Sequence, residues 1–305
     1  MNRAAAEERS AALRRDGFAG AIEPLRPLAP LTTWRIGGPA EVLATPTGEE
    51  DLARGLAWAA ARGVDCRILG NGSNLLVDDA GVPGVVFRVR RVLDDVALDG
   101  PRVRAGAGIS FPLLARRTAQ AGLSGLEFAA GIPGTLGGAL VMNAGWHEFE
   151  TGNHVVRVRA IERDGRPFEF NRAECGFRYR GSRFRDRRAV VLSAELELAP
   201  GDVAEIEARL DAFAESRKRN QPTELPSCGS VFVQPPGDFA GRLIEQAGLK
   251  GTRVGSIEVS HKHANFFVNH GGGTSAQALE LVERVEREVR RRFGVELTRE
   301  FEYWK

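Results

Sequence analysis

The chain has 305 residues, 43% of them hydrophobic and 27% charged, with a formal net charge of +2. Such a composition is that of a globular protein long enough for two domains, and it lacks the basic field that holds nucleic acid. The three cysteines, Cys66, Cys175 and Cys228, form no CxxC pair, which argues against a disulfide framework or thiolate zinc site and for a reducing compartment.

Residues 1–30 read as an amphipathic helix and a linker punctuated by Pro24, Pro27 and Pro30. No apolar run fits a signal peptide or a membrane span, so a cytoplasmic protein without a membrane partner is expected. EEDLARGLAWAAARG, from Glu49, predicts a helix with Leu52, Leu56 and Ala59 on one face and Gly63 at its end. VDCRIL is a short strand that runs into GNGSNLLV. Strands are expected over 85–89 and 103–105, and a helix over 111–121. A second glycine-rich block, AAGIPGTLGGALVMNAG, precedes a hairpin, HVVRVRAIERDGRPFEF, that turns at Asp164-Gly165. AVVLSAELEL is a further strand.

A boundary is expected near Pro200-Gly201. Beyond it Asp202 caps a helix whose Val203, Ile206, Leu210 and Phe213 form one stripe. LPSCGSVFVQPPG follows, then a short helix, FAGRLIEQAG, and a strand-like ANFFVN. The long helix TSAQALELVERVEREVRRRF opens with capping-box spacing at Thr274 and Gln277 and buries Val282, Val285 and Val289. The chain closes on an expected strand, GVELTREFEY. Helices and strands are mixed throughout.

The residues alone leave several choices open. GNGSNLL can present successive backbone amides to a diphosphate, or it can be a tight turn between strands. The second glycine block also lets backbone approach a ligand, so the two together favour a dinucleotide. Yet GAGISF lacks the third glycine of a Rossmann fingerprint, and neither a P-loop nor a GxSxG elbow is present. Cys228 and Ser230 sit in a constrained turn, and no base accompanies Cys228. His261 and His263 would share one face of a strand, but no third metal ligand stands at a usual spacing, and no metal is expected.

TTWRIGGPA, LGNGSNLLV, GIPGTLGGALVMNAG, FRYRGS, LPSCGSVFVQPPGDFAGRLIEQAGLKG, VSHKHANFFVN and GVELTREF occur in this order, and together the chain resembles the UDP-N-acetylenolpyruvoylglucosamine reductases in their short, type II form. The resemblance implies an α+β fold. A vanillyl-alcohol-oxidase/PCMH-type FAD-binding domain would cover 31–198, after the helix and linker of 1–30. A smaller α/β substrate domain, 199–305, would close over the site. It implies FAD as cofactor and NADPH as co-substrate in the same cleft as a UDP-sugar, with hydride passing by way of the flavin to an enolpyruvyl group. A monomer is expected.

The resemblance also implies the site residues. Arg180 would brace the substrate carboxylate, Glu300 would stand beside it, and Ser230 would donate the proton. Arg35, Gly70, Asn71, Gly72, Ser73, Asn74, Leu75, Gly131, Pro133, Gly134, Thr135, Gly138, Ala139, Asn143 and Ala144 would hold FAD. Tyr179, Gln234, Lys262 and His263 would face the substrate. From local sequence alone Arg180 is one arginine among many, Glu300 an exposed strand glutamate and Ser230 a turn serine. The chain departs from the family pattern at Asn220, at Gln234 and in WHEFETGNH, residues 146–154. Two other readings remain: a flavin oxidase of the same fold, and a non-catalytic nucleotide-sugar binder.

Overall fold

The computed structural model describes residues 1–146 and 148–305; His147, in the departing segment after Gly145, lies outside the described residues. The N-terminal helix Arg3–Arg15 is capped by Asn2 and leads into a strand, Ala21–Pro27, where the sequence suggested a linker. This strand is the edge of a four-stranded sheet and pairs antiparallel with Pro39–Thr45. Proline lacks a donor for the ladder, and an edge strand is where a sheet tolerates it. The other two members, Val82–Arg88 and Cys66–Leu69, run parallel to Pro39–Thr45.

A second sheet of five antiparallel strands follows, in the order Pro167–Asn171, Val155–Ile161, Val190–Glu197, Arg102–Gly106, Val96–Asp99. The expected hairpin is its outer pair, closed at Ile161 opposite Pro167, with the Asp164 carboxylate accepting from the Arg166 amide. Alternate residues of Val155–Ile161 and Val190–Glu197 turn inward onto the helices Phe111–Gln120 and Leu136–Met142.

Beyond residue 201 the helix Val203–Asn220 is capped by Asp202 as expected. Ile206 and Leu210 are buried and Phe213 is half-buried, but Val203, in the first turn, is 41% exposed. The last part of the chain builds a three-stranded antiparallel sheet, Arg253–Val254, Ile257–Val259 and Phe267–Asn269. The helices Ala240–Gln246 and Ser275–Phe293 pack in the same core. The capping box at Thr274 and Gln277 forms, and Val282, Val285 and Val289 are fully buried.

The expected closing strand is shorter than the sequence suggests: only Glu302–Trp304 is strand, and it pairs parallel with Leu75–Val77 in the first half of the chain. Residues 295–301 are instead held individually. The Glu300 amide donates to Val231 O at 2.8 Å and Arg299 pairs with Glu286 at 2.7 Å.

The two halves therefore share a core. Trp34, Ile36 and Leu76 are buried among the C-terminal residues Phe232, Phe267 and Phe301. Asn269 donates its side-chain amide to Trp34 O at 2.9 Å, and Thr33 donates its hydroxyl to Ser227 O at 2.7 Å. These bonds fasten the segment around Ser230 to the N-terminal half.

Candidate active site

A cavity of about 950 Å³ lies where the two glycine loops, the Tyr179–Arg180 turn and the Ser230 segment converge. Its first wall is the loop after the strand Cys66–Leu69. There Ser73 donates its hydroxyl to Pro133 O at 2.8 Å, which joins the two glycine loops. The second wall is the start of the helix Leu136–Met142, whose cap Thr135 accepts from the Gly138 amide at 3.3 Å.

Small residues leave this cradle open. A methyl group built on Gly138 would meet nothing nearer than Thr135 Oγ1 at 3.7 Å, and on Gly134 nothing nearer than Ser73 Oγ at 3.4 Å. Both glycines line the cavity. Larger residues would occupy the space a flat ring or a diphosphate needs. Exposed amides between two glycine loops, with a roomy cavity above them, fit a flavin dinucleotide.

The Ser230 segment is not a true strand. It is pinned on both sides by isolated bridges, Ser230 to Phe266 and Phe232 to Arg299. The Val231 amide donates to Asn265 O at 2.8 Å, the Phe232 amide to Asn265 Oδ1 at 3.0 Å, and the Val233 amide to Thr298 O at 2.9 Å. Asn265 is fully buried and returns a bond to Phe232 O at 2.8 Å, so a single side chain locks the run. Gly229 takes φ +84, a left-handed conformation that other residues adopt at a cost. Ser230 lines the cavity, and among the described residues no hydrogen bond engages its hydroxyl. Cys228 is 2% exposed, and burial pushes its thiol far above the usual range, with the Glu300 carboxyl adding to the effect. A thiol held neutral is no nucleophile.

Arg180 lies on a tight turn in which Arg178 and Gly181 exchange backbone bonds of 3.0 Å each. Its own φ is +54, a strained value for an arginine, costing about 1–2 kcal/mol. The turn aims the guanidinium at Glu300, with Nε 3.0 Å from Oε1. The ring of Tyr179 lies 4.8 Å beneath it, and Nη2 donates to Gly145 O at 3.4 Å. Glu300 comes from the far end of the chain. Its amide is tied to Val231, and Asn74 of the first glycine loop donates to its carbonyl at 3.1 Å. Burial raises the Glu300 carboxyl above its ordinary range, and the neighbouring Arg180 opposes that rise without cancelling it. Neither residue is the exposed surface group its local sequence suggested.

Of the other expected contacts, residues 70–75, Gly131, Pro133, Gly134, Thr135, Gly138, Ala139, Ala144, Tyr179, Gln234 and His263 all line this cavity. Gln234 accepts with its side-chain oxygen from the Ala240 amide at 2.7 Å, at the start of the helix Ala240–Gln246. His263 packs edge-on against Phe266, and burial holds its pKa below the usual imidazole range. His261 and His263 sit in a turn after the strand Ile257–Val259, not on a strand. His261 is solvent-facing and lies 3.7 Å from Glu258, so the two rings do not converge.

Three expected residues lie elsewhere. Asn143 is 1% exposed, and its amide is committed to Glu150 at 2.8 Å, Arg178 O at 3.2 Å and the Gly152 amide at 2.9 Å. Lys262 reaches back to Lys218 O at 2.7 Å and to Glu224 at 3.6 Å. Arg35 donates to Pro30 O at 2.8 Å and lines a neighbouring cavity.

Sequence reasoning missed Arg217. It lines the main cavity, donates to Gly131 O of the second glycine loop, and is pushed down to about 10 by burial. A signal was present, since the stripe of Ile206, Leu210 and Phe213 continues at helical spacing into Arg217.

The comparisons with known proteins agree with this geometry. Residues 40–171 match the family described as FAD binding domain, so the cofactor is FAD and the class is that of a flavin-dependent oxidoreductase. Residues 221–304 match the family described as UDP-N-acetylenolpyruvoylglucosamine reductase, C-terminal domain. The UDP-N-acetylenolpyruvoylglucosamine reductase of Rubrobacter xylanophilus is 48% identical over 272 residues, 89% of this chain and 91% of that one. That of Moorella thermoacetica is 46% identical over 278 residues, 91% of each chain. The crystal structure of UDP-N-acetylenolpyruvylglucosamine reductase (MurB) from Thermus caldophilus is 38% identical, superposes with a TM-score of 0.80, and covers 94% of this chain and 99% of that one. The chain belongs to the UDP-N-acetylenolpyruvoylglucosamine reductase family. Among the described residues no helix is long and apolar enough to cross a membrane.

Proposed function

We propose that this chain reduces UDP-N-acetylenolpyruvoylglucosamine to UDP-N-acetylmuramate, a step of peptidoglycan precursor synthesis, with Arg180, Ser230 and Glu300 as its catalytic residues. The observation that carries this reading is the meeting of three distant segments, 179–180, 228–230 and 300, in one cavity with both glycine loops. When bound, FAD supplies the hydride relay between NADPH and the enolpyruvyl double bond. Thirteen backbone and side-chain positions of 70–75, 131–139 and 144 would hold it, with Tyr179, Gln234 and His263 on the substrate side.

Hydride added to the terminal carbon leaves negative charge on its neighbour, spread into the attached carboxylate. The Arg180 fork is the group that can brace that carboxylate as the charge grows. Glu300, buried and raised in pKa, holds the guanidinium in place and is compatible with a second carboxylate when protonated. Ser230, on a pinned backbone and without a hydrogen-bond partner for its hydroxyl among the described residues, would give its proton to the charged carbon. Hydride and proton together saturate the double bond.

The reading extends to a monomer of 33.1 kDa acting in the cytoplasm, supported by three free thiols, and light scattering measures the mass. The function is tested by the visible spectrum of the purified protein and by anaerobic NADPH oxidation. A flavin band, and NADPH consumption that depends on the enolpyruvyl sugar nucleotide, are expected. Rapid reaction with oxygen and indifference to the sugar nucleotide would point to an oxidase, and a colourless protein that FAD does not colour would point to a mere binder.

A further inference from the structure

Two arginines of the main cavity have carboxylate partners: Arg180 has Glu300 and Arg185 has Glu302 at 2.7 Å. A second cavity of about 550 Å³ adjoins the first, sharing Gly70, Asn71, Pro133 and Arg217 with it. Arg35, Arg88, Arg90 and Arg217 line it, and among the described residues none of the four pairs with a carboxylate. Arg35 and Arg217 donate only to backbone oxygens, of Pro30 and Gly131. The one acidic residue on the wall, Glu224, stands 3.6 Å from Lys262.

Local structure explains why these charges converge. Arg88 ends the strand Val82–Arg88, and Arg90 follows two positions later, so both point to the face opposite the buried Phe87 and Val89. Burial holds Arg90 below the usual guanidinium range, and the positive charges of Arg91 and Arg88 lower it further. Cations crowded together and partly dehydrated, without a counter-charge, are destabilising on their own. An anion entering the cavity would relieve that, and guanidinium forks match phosphate oxygens in geometry. The opposite wall is the chain 222–227 that leads directly to Ser230, so a ligand held here would reach into the catalytic cavity.

We propose that the second cavity is a phosphate subsite, in which Arg88 and Arg90 grip a phosphate group of a nucleotide whose reacting end lies in the main cavity. The inference rests on the function proposed above. The phosphate has two sources there, the NADPH co-substrate and the diphosphate of the UDP-sugar.

The test replaces both side chains (Arg88→Gln with Arg90→Gln) in the FAD-loaded full chain and measures KM for NADPH, NADH and the sugar nucleotide. A rise of about tenfold or more in at least one KM, equivalent to about 1.4 kcal/mol, is expected. A rise for NADPH alone assigns the 2′-phosphate, a rise for NADPH and NADH together assigns the dinucleotide's diphosphate, and a rise for the sugar nucleotide assigns its diphosphate. All three KM values within about twofold of the parent, well below one charge-assisted hydrogen bond, would overturn the proposal. So would release of FAD from a variant that still melts cooperatively, since the arginines would then belong to the cofactor site. Should the variant not fold, inorganic pyrophosphate on the unaltered enzyme decides: competition at low ionic strength supports the subsite, and none refutes it. An unaltered protein that binds no FAD or ignores the sugar nucleotide would refute the proposed function instead, before any variant is made.

Discussion

Arg180 shows how little of a site lies in a residue's own neighbourhood. RYRGSRFRDRR reads as a solvated basic face, and most of its arginines are just that: Arg178 pairs with Asp186 at the surface. Arg180 differs because a left-handed φ turns it inward onto Glu300, from 120 positions later in the sequence. No propensity or periodicity encodes that meeting, and only the family resemblance marked the pair beforehand. The functional reading of Arg180 has a sharp consequence. Arg180→Lys keeps the charge but loses the planar fork and the stacking on Tyr179. Turnover of the sugar nucleotide should fall by about 10²-fold or more, as when one oriented donor is removed from a charge-stabilising site. Bleaching of the flavin band by NADPH should persist, and stopped-flow absorbance separates the two.

Elements were more legible than residues. The helices over 49–61, 111–120, 203–220 and 275–293 followed from apolar spacing and caps, and the hairpin at Asp164-Gly165 from its turn dipeptide. The failures share a cause. Ala21–Pro27 reads as linker because its prolines discourage strand, yet an edge position makes them harmless. GVELTREFEY reads as one strand, yet before Glu302 an isolated bridge from Arg299 to Phe232 holds it as a single rung. Such bonds depend on what lies opposite, which the local sequence does not state.

Asp51 ties several of these elements together. Its carboxylate, 4% exposed, accepts from the amides of Ala19 at 2.8 Å, Gly20 at 2.9 Å and Thr47 at 3.0 Å. Burial opposes its charge, but these donors outweigh that and hold its pKa below the usual aspartate value. A depressed folded pKa stabilises the fold above the unfolded value, about 3.9, and this contribution is lost as pH falls through the folded value. Asp51→Asn should therefore cost about 1–3 kcal/mol at neutral pH, measured by urea unfolding. The gap between variant and parent should narrow on acidification below about pH 4.

At the scale of the whole molecule, the two halves are one mechanical unit. Trp34 and Leu76 stand in the C-terminal core, and the last strand, Glu302–Trp304, lies along Leu75–Val77 of the flavin half. Glu300 is placed two residues before that strand, so the tether between the halves also sets a position proposed as catalytic. The backbone of the Ser230 segment is pinned between Ala264–Phe266 and Thr298–Glu300, while among the described residues no hydrogen bond engages the Ser230 hydroxyl. A hydroxyl left without a partner among the described residues, on a pinned backbone, suits the proton donor proposed for this site.

The most direct test of this account is an anaerobic stopped-flow comparison of the parent and Ser230→Ala, following the flavin band first with NADPH and then with the enolpyruvyl sugar nucleotide. In the variant, bleaching by NADPH should keep the parent's rate, while recovery of the band on adding the sugar nucleotide should slow by about 10²–10⁴-fold, the usual contribution of a positioned acid. Loss of both phases together would make Ser230 a structural residue, and recovery at the parent's rate would place the proton donor elsewhere.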